Sequence, residues 1–267
     1  MTKYIMSKSY TEYYKEAKQN YDPNSKIDVN KFHAMEIKKK TINKFVKLNR
    51  KYHDIIIRLS NKIHEQIALD KYCAFKKNVT ELDKSVRRFA NIYDVEEIEE
   101  LCQYILPQIE EKIYGCYVHV ESIYTYKTKP SKATPRGSWL WHWDNNPKET
   151  IKVMIYLNDI ESDNGPFEYL INTETGLPKK MPSSKTGKGN WTSPSKYKDS
   201  RVPQSEVQKM LNNDYKIQQF IGKKGDMIIF DNNIIHRGTT PKEGYRLVMV
   251  LQLLSLIHIS EPTRRTP

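Results

Sequence analysis

From Tyr114 to Leu253 the chain is a succession of short β-branched and aromatic segments bounded by turn residues: "YGCYVHVESIYTYKT", "SWLWHWD", "IKVMIYLND", "PFEYLIN", "GDMIIFD", "IIHRG" and "YRLVMVLQLL". No helical pattern separates them. Parallel strands need crossover connections of a dozen or more residues, usually helices, so this order points to an antiparallel barrel or sandwich. Ahead of it, residues 1–113 read as helical. Apolar residues recur at helical spacing in "INKFVKLNRKYHDIIIRLSNKI" and in "DVEEIEELCQYILPQIEEKI", with Asp94 as the expected N-cap of the second. The expected fold is mainly β with a helical jacket (α+β), the helices of residues 1–113 packing on one sheet of a barrel formed by residues 114–253.

Two stretches stand apart. Residues 172–214 form a segment rich in Gly, Pro, Ser and Lys, carrying Lys179, Lys180, Lys185, Lys188, Lys196, Lys198, Arg201 and Lys209. Long connections in compact domains are either functional or irregular insertions, and the expectation here is a lid over the site that draws in an anionic substrate. Residues 254–267, containing "LSLIHISEPTR", read as the translation of a sequencing-library adapter, so Leu253 is expected to be the last natural residue and His258 is set aside as a ligand.

Composition narrows the function. The net charge of +12 arises from 44 Lys and Arg against 32 Asp and Glu. Lys far outnumbers Arg, Asn, Ile and Tyr are also plentiful, and no nucleic-acid-binding signature accompanies the charge, so a coding bias explains it without a nucleic-acid partner. Cys73, Cys102 and Cys116 are odd in number and lack metal-site spacing, as expected of reduced thiols. No apolar run is long enough for a membrane span or a signal h-region. A cytoplasmic protein is expected.

The chemistry-bearing residues lie in the β half. If "SWLWHWD" is a strand, Leu140, His142 and Asp144 face one way and Trp139, Trp141 and Trp143 the other, the tryptophans packing on the helical jacket. A His-x-Asp pair is also what a buried, hydrogen-bonded histidine looks like. In "GDMIIFDNNIIHRG" an apolar strand delivers His236 after a polar turn. Two imidazoles and a carboxylate on one face of a metal leave the other positions open, the arrangement of non-haem Fe(II) oxygenases. Arg246 follows ten residues later, where its planar fork suits a carboxylate ligand or, equally, an acidic side chain. "HVE", with His119 and Glu121, is a rival His-x-carboxylate. His33, His53 and His64 fall in helical text. On "IKVMIYLND", Ile151, Val153, Ile155 and Leu157 form a core face, leaving Lys152, Met154 and Tyr156 on the other.

In this order of motifs the chain resembles the Fe(II)/2-oxoglutarate-dependent dioxygenase superfamily, most closely its phytanoyl-CoA dioxygenase-like branch. The similarity covers about residues 116–253: the H-x-D of His142 and Asp144, "IYLNDIESDNGPFEYL", "GDMIIFDNNIIH", and Arg246. The resemblance implies a double-stranded β-helix, a jelly-roll or cupin-like barrel. It implies that His142, Asp144 and His236 bind Fe(II), that Arg246 holds the distal carboxylate of 2-oxoglutarate, and that O2 is the co-reactant. Tyr156 is a candidate to lend its hydroxyl to the cosubstrate. The implied reaction is hydroxylation of a small organic substrate, with release of succinate and CO2. A protein or peptide hydroxylase and a non-catalytic barrel are the alternatives. The segment after "NGP" and the N-terminal half carry no family motif, so contacts there do not transfer.

Overall fold

Strand β10 (Arg246–Leu254) is the centre of the molecule, apolar along nearly its whole length and paired on both sides. The computed structural model describes residues 31–38, 49–68, 73–75, 85–90, 95–115, 118–135, 137–146, 150–182 and 200–254. Around β10, in chain order, stand β1 (Ala34–Ile37), α1 (Asn49–Ala68), β2 (Cys73–Phe75), β3 (Val86–Ala90), α2 (Glu96–Ile109), β4 (His119–Thr128), β5 (Thr150–Tyr156), β6 (Phe167–Asn172), α3 (Gln204–Asn212), β7 (Tyr215–Phe220), β8 (Met227–Asp231) and β9 (His236–Gly238). A seven-stranded sheet runs β1-β8-β5-β10-β4-β3-β2, and a three-stranded sheet runs β7-β6-β9. Every pairing within them is antiparallel. The two sheets face one another across a shared core, the double-stranded β-helix.

The helices dock as their sequences dictate. Helix α1 buries Tyr52, Ile55, Ile56, Leu59 and Ile63, and α2 buries Ile98, Leu101, Cys102, Ile105, Leu106 and Ile109. Those positions recur at three- and four-residue spacing, one stripe on each helix. Both stripes join Ile151, Val153, Ile155, Leu157, Leu247, Met249 and Leu251 in one core on the outer face of the large sheet. Each such side chain contributes about 1.5–3 kcal/mol of burial. The opposite faces of the same strands turn inward: Tyr156, Ile228, Phe230, Val248 and Val250 meet Phe167, Tyr169 and Phe220 of the small sheet. The odd-even split expected for residues 151–157 is therefore present.

Helix α3 stands between β6 and β7, where no helical pattern was expected, and three further local expectations are corrected. Residues 34–37, 73–75 and 86–90 contribute β1, β2 and β3 to the large sheet, so the segment expected to be helical is mixed. Strands of three to five residues are too short to show a period of their own. Helix α2 starts at Glu96 with Val95 at the N-cap and no side-chain cap, while Asp94 lies outside the described residues. Glu96, Glu97 and Glu99 complement the helix dipole in its place. The third is "SWLWHWD", which is not a strand: Gly137–Trp139 is a turn of 3-10 helix, and His142 makes only isolated β-bridges.

The tryptophans accordingly divide. Trp141 and Trp143 pack with Leu170, Ile235, Val202 and the α3 residue Val207 on the outside of the small sheet, while Trp139 packs with Val86. None of them reaches α1 or α2 in these clusters. Of the adapter-like residues 254–267, Leu254 is the last residue of β10 and residues 255–267 lie outside the described residues. Residues 183–199 of the expected lid, with Lys185, Lys188, Lys196 and Lys198, also lie outside them. No helix among the described residues is long and apolar enough to cross a membrane.

Candidate metal centre

His142 and His236 are brought together by the backbone. The His142 N–H donates to the His236 carbonyl at 3.0 Å and the His236 N–H returns the bond to His142 at 2.8 Å, a closed antiparallel pair that extends the small sheet beyond β9. On the other side His142 bridges Arg201, where Val202 N–H donates to Trp141 O and Trp143 N–H to Ser200 O. Asp144 is held next, its N–H donating to Asn232 O at 2.9 Å. The polar turn "DNN" explains itself here. The Asp231 carboxylate accepts the Asn233 N–H, and the Asn233 amide clasps the backbone of Asn146 through both its oxygen and its nitrogen. Lys180 neutralises Asp231 at 2.5 Å.

The side chains then converge. Ligand atoms of His142, Asp144 and His236 all lie within 4.8 Å of one another. The Nδ1 of His142 is 2.8 Å from Leu140 O, and that of His236 is 2.8 Å from Ile234 O. A carbonyl can only accept, so each Nδ1 carries the proton and each Nε2 keeps its lone pair. Those Nε2 atoms stand 3.9 Å and 3.7 Å from the Asp144 carboxylate oxygens. Burial, with the neighbouring His236 ring, pushes the His142 imidazole down to about 3, and burial lowers His236 as well. Burial alone would raise Asp144, but Lys152 and the two imidazoles outweigh it and hold the carboxyl below its usual range. Two neutral imidazoles and one carboxylate, with their ligand atoms this close together, fit a divalent transition metal.

Arg246 opens β10 and is buried. Its Nη1 donates to Gly165 O, its Nε has no hydrogen-bond partner, and no carboxylate of the described residues lies within the 4.0 Å of an ion pair. An unpaired buried guanidinium is expensive, which fits a site shaped for an anionic ligand. "NGP" supplies the carbonyl: Gly165 has φ +76°, and a Cβ there would sit 2.7 Å from Pro241 N and Thr239 O. Only glycine fits that position.

A family model described as phytanoyl-CoA dioxygenase matches residues 16–242. The chain belongs to the phytanoyl-CoA dioxygenase family. It is a dioxygenase-type enzyme of the Fe(II)/2-oxoglutarate-dependent superfamily. Among solved structures it is similar to apo EctD from S. alaskensis, with 14% identity, TM-score 0.57 and coverage of 90% of this chain and 81% of that one. It is also similar to the epimerase SnoN in complex with Fe3+, alpha ketoglutarate and nogalamycin RO, with 10% identity, TM-score 0.56 and coverage of 92% and 84%. The carbocyclase SnoK from nogalamycin biosynthesis matches at 13% identity and TM-score 0.52, over 88% of this chain and 86% of that one. At these identities the likeness is one of fold. No curated protein matches the sequence.

Within this phytanoyl-CoA dioxygenase family member the remaining candidates fall outside the triad. Glu121 is exposed and accepts a hydrogen bond from Gln252, and neither it nor His119 joins a metal-capable group among the described residues. His33 bonds Pro178 O, His64 bonds Ser60 O and Tyr245, and His53 lies edge-on to Tyr52, all structural contacts. The Tyr156 hydroxyl donates to Phe220 O at 2.5 Å and accepts from the Phe167 N–H at 3.2 Å. Its only proton is thereby committed to the backbone, tying β6 and β7 to the large sheet. Sequence reasoning passed over Lys152, whose Nζ donates to Asp144 at 2.6 Å. It also missed Asn232, a fully buried amide with neither side-chain atom hydrogen-bonded, and Gly238, where a Cβ would stand 2.9 Å from Arg246 Nη2. The inward face assigned to Lys152 was the available signal.

Proposed function

We propose that the protein hydroxylates a small organic substrate, using Fe(II) held by His142, Asp144 and His236 and 2-oxoglutarate anchored by Arg246. The observation that carries this reading is the pairing of two features in one barrel: a convergent His-Asp-His group with both imidazoles neutral, and a buried guanidinium with no acidic side chain among the described residues to neutralise it. Fe(II) held by His142, Asp144 and His236 would supply, together with 2-oxoglutarate, the oxidation of the substrate by O2, with succinate and CO2 as the other products.

The chain's own residues supply orientation and exclusion. Leu140 O and Ile234 O fix both imidazoles in the tautomer that presents Nε2. The His142–His236 backbone pair holds the two residues in register, so that both rings start from fixed positions. Arg246 presents donors in a plane to the distal carboxylate. Phe167, Phe230, Val248 and Val250, all in the interior core, line the barrel with groups that offer water no hydrogen bond. An intact Asp144 keeps a carboxylate where a halide would otherwise bind, which favours hydroxylation over halogenation.

The decisive experiment is an anaerobic titration of the protein with Fe(II) and then 2-oxoglutarate, watching for the visible charge-transfer absorption of a 2-oxo acid chelated to Fe(II). Its appearance, followed by succinate formation on admitting O2, is expected. Its absence from the iron-loaded protein overturns the reading.

A further inference from the structure

Lys152 is a second interior cation for which the proposed chemistry has no use. It sits on the inward face of β5, alternating with Ile151 and Val153 of the helix-side core, and its side chain is 12% exposed. Its ammonium has three donors. One goes to Asp144 Oδ2 at 2.6 Å, and among the described residues no other carboxylate lies within the 4.0 Å of an ion pair. Arg201, whose backbone bridges His142 on the opposite side, adds another cationic residue next to the triad.

Charge bookkeeping then becomes informative, resting on the Fe(II)/2-oxoglutarate reading above. A metal dication, the 2-oxoglutarate dianion, Asp144, Arg246 and Lys152 leave one uncompensated positive charge, before Arg201 is counted, beside the interior core of Val248, Val250 and Phe230. An uncompensated charge in an apolar interior is costly, and the site lowers that cost by taking in an anion. A ligating Asp144 also shares its charge with the metal, so its hold on the ammonium weakens when the centre is loaded. The ammonium is then left to pair with an incoming group.

We propose that Lys152 receives an acidic group of the primary substrate, so that the molecule oxidised at this centre is a small organic anion, a carboxylate or a phosphate ester. The carboxylate beside the keto group of 2-oxoglutarate is the competing occupant, and the experiment separates the two.

Wild-type protein and the variants Lys152→Met, Lys152→Gln and Lys152→Arg are loaded anaerobically with Fe(II) and titrated with 2-oxoglutarate. Lys152→Gln keeps a donor for Asp144 and serves if the Met variant misfolds. Straight-chain carboxylates and alkyl phosphates are then compared with the amides and alcohols of the same chain length. The readouts are perturbation of the charge-transfer band and, after O2, stimulated succinate release. In the wild type the acids should act and the neutral analogues should not, and relative strength separates carboxylate from phosphate. In Lys152→Met and Lys152→Gln the acids should act about tenfold or more weakly, with partial recovery in Lys152→Arg, while 2-oxoglutarate affinity stays within about twofold. Neutral analogues acting as well as the acids, no acid acting on the wild type, or acids acting equally on the uncharged variants would each overturn the proposal. So would a tenfold loss of 2-oxoglutarate affinity without loss of the acid effect, which assigns Lys152 to the cosubstrate. Failure of the wild type to develop the band at all counts against the iron and 2-oxoglutarate reading instead.

Discussion

The Arg246 guanidinium lies against the bare Cα of Gly238, two residues beyond His236, so closely that a methyl group at that position would stand 2.9 Å from Nη2 and 3.5 Å from Nη1. Arg246 and the His-Asp-His group are thereby joined through three consecutive residues of β9. Gly238→Ala is expected to push the guanidinium aside without unfolding the protein, because the obstructed atoms are the far end of a flexible side chain. Weakening of 2-oxoglutarate binding by about 1–2 kcal/mol, five- to thirtyfold, should appear in the anaerobic titration, with iron stoichiometry unchanged. Unaltered affinity would mean that Arg246 does not hold the cosubstrate from this position.

Arg246→Lys tests the same contact from the other side. The charge persists, but the planar fork that donates to Gly165 O while facing a carboxylate does not. Loss of about 1.5–3 kcal/mol in 2-oxoglutarate affinity is expected, again at constant iron binding.

Replacing either imidazole should separate chemistry from fold. In His142→Ala and His236→Ala the reciprocal backbone bonds between the two residues remain, since they use main-chain atoms alone. Melting temperatures of the metal-free variants should therefore stay near that of the wild type. Iron binding and 2-oxoglutarate turnover should fall by about a hundredfold or more, as two ligands cannot hold the ion in an open facial geometry. A variant that keeps wild-type iron stoichiometry would remove that residue from the centre.

The same imidazoles set an acid limit on the metal-free protein. An unfolded histidine titrates near 6.5, whereas burial holds His142 at about 3 and lowers His236. As pH falls below about 6.5 the unfolded chain takes up protons that the native state refuses, so stability declines with acidification, for His142 until about pH 3. Thermal melts of the metal-free protein between pH 7 and 4.5 should show this decline, and His142→Ala should flatten it. At pH 7 the rings are already deprotonated, so metal binding should release almost no protons from them.

The helices are structural partners of the barrel, and Leu101 is the place to measure it. It is fully buried between α2 and the strands of the large sheet. Leu101→Ala should cost about 2–5 kcal/mol and lower the melting temperature by about 2–4 °C for each of them. Little change would indicate a helix that is only loosely attached.

The fold and the site were legible in the sequence to different depths. Where a strand is long and buried on both faces, as at residues 151–156, alternation separated the helix-side residues from the inward ones. The two helices announced themselves by their stripes of Tyr52 to Ile63 and Ile98 to Ile109. Motif order is local information, and it pointed to His142, Asp144 and His236, which the fold brings within 4.8 Å of one another, and to Arg246, which it buries. What escaped depends on distant chain segments. "SWLWHWD" has the alternation of a strand, yet its hydrogen bonds go to residues 200–202 and 232–236 in isolated bridges. Strand β1 reads as nothing in particular until β8 supplies its partner. Gly238 matters only because the side chain of Arg246 arrives from the next strand. Likewise Lys152 becomes a feature of the site only when Asp144 is folded over it.

The long insertion between β6 and α3 leaves the barrel and returns to it on hydrogen bonds made with the site's own backbone: Lys179 to Leu170 and Ile235, Met181 to Asn233, then Ser200 to Trp143 and Val202 to Trp141. A connection clamped at both ends can change length at small entropic expense, about 0.6 kcal/mol for each doubling. The ligands, meanwhile, stay in register with one another whatever lies between the clamps. The stretch between the clamps can therefore vary in length without disturbing the pairing of His142 with His236.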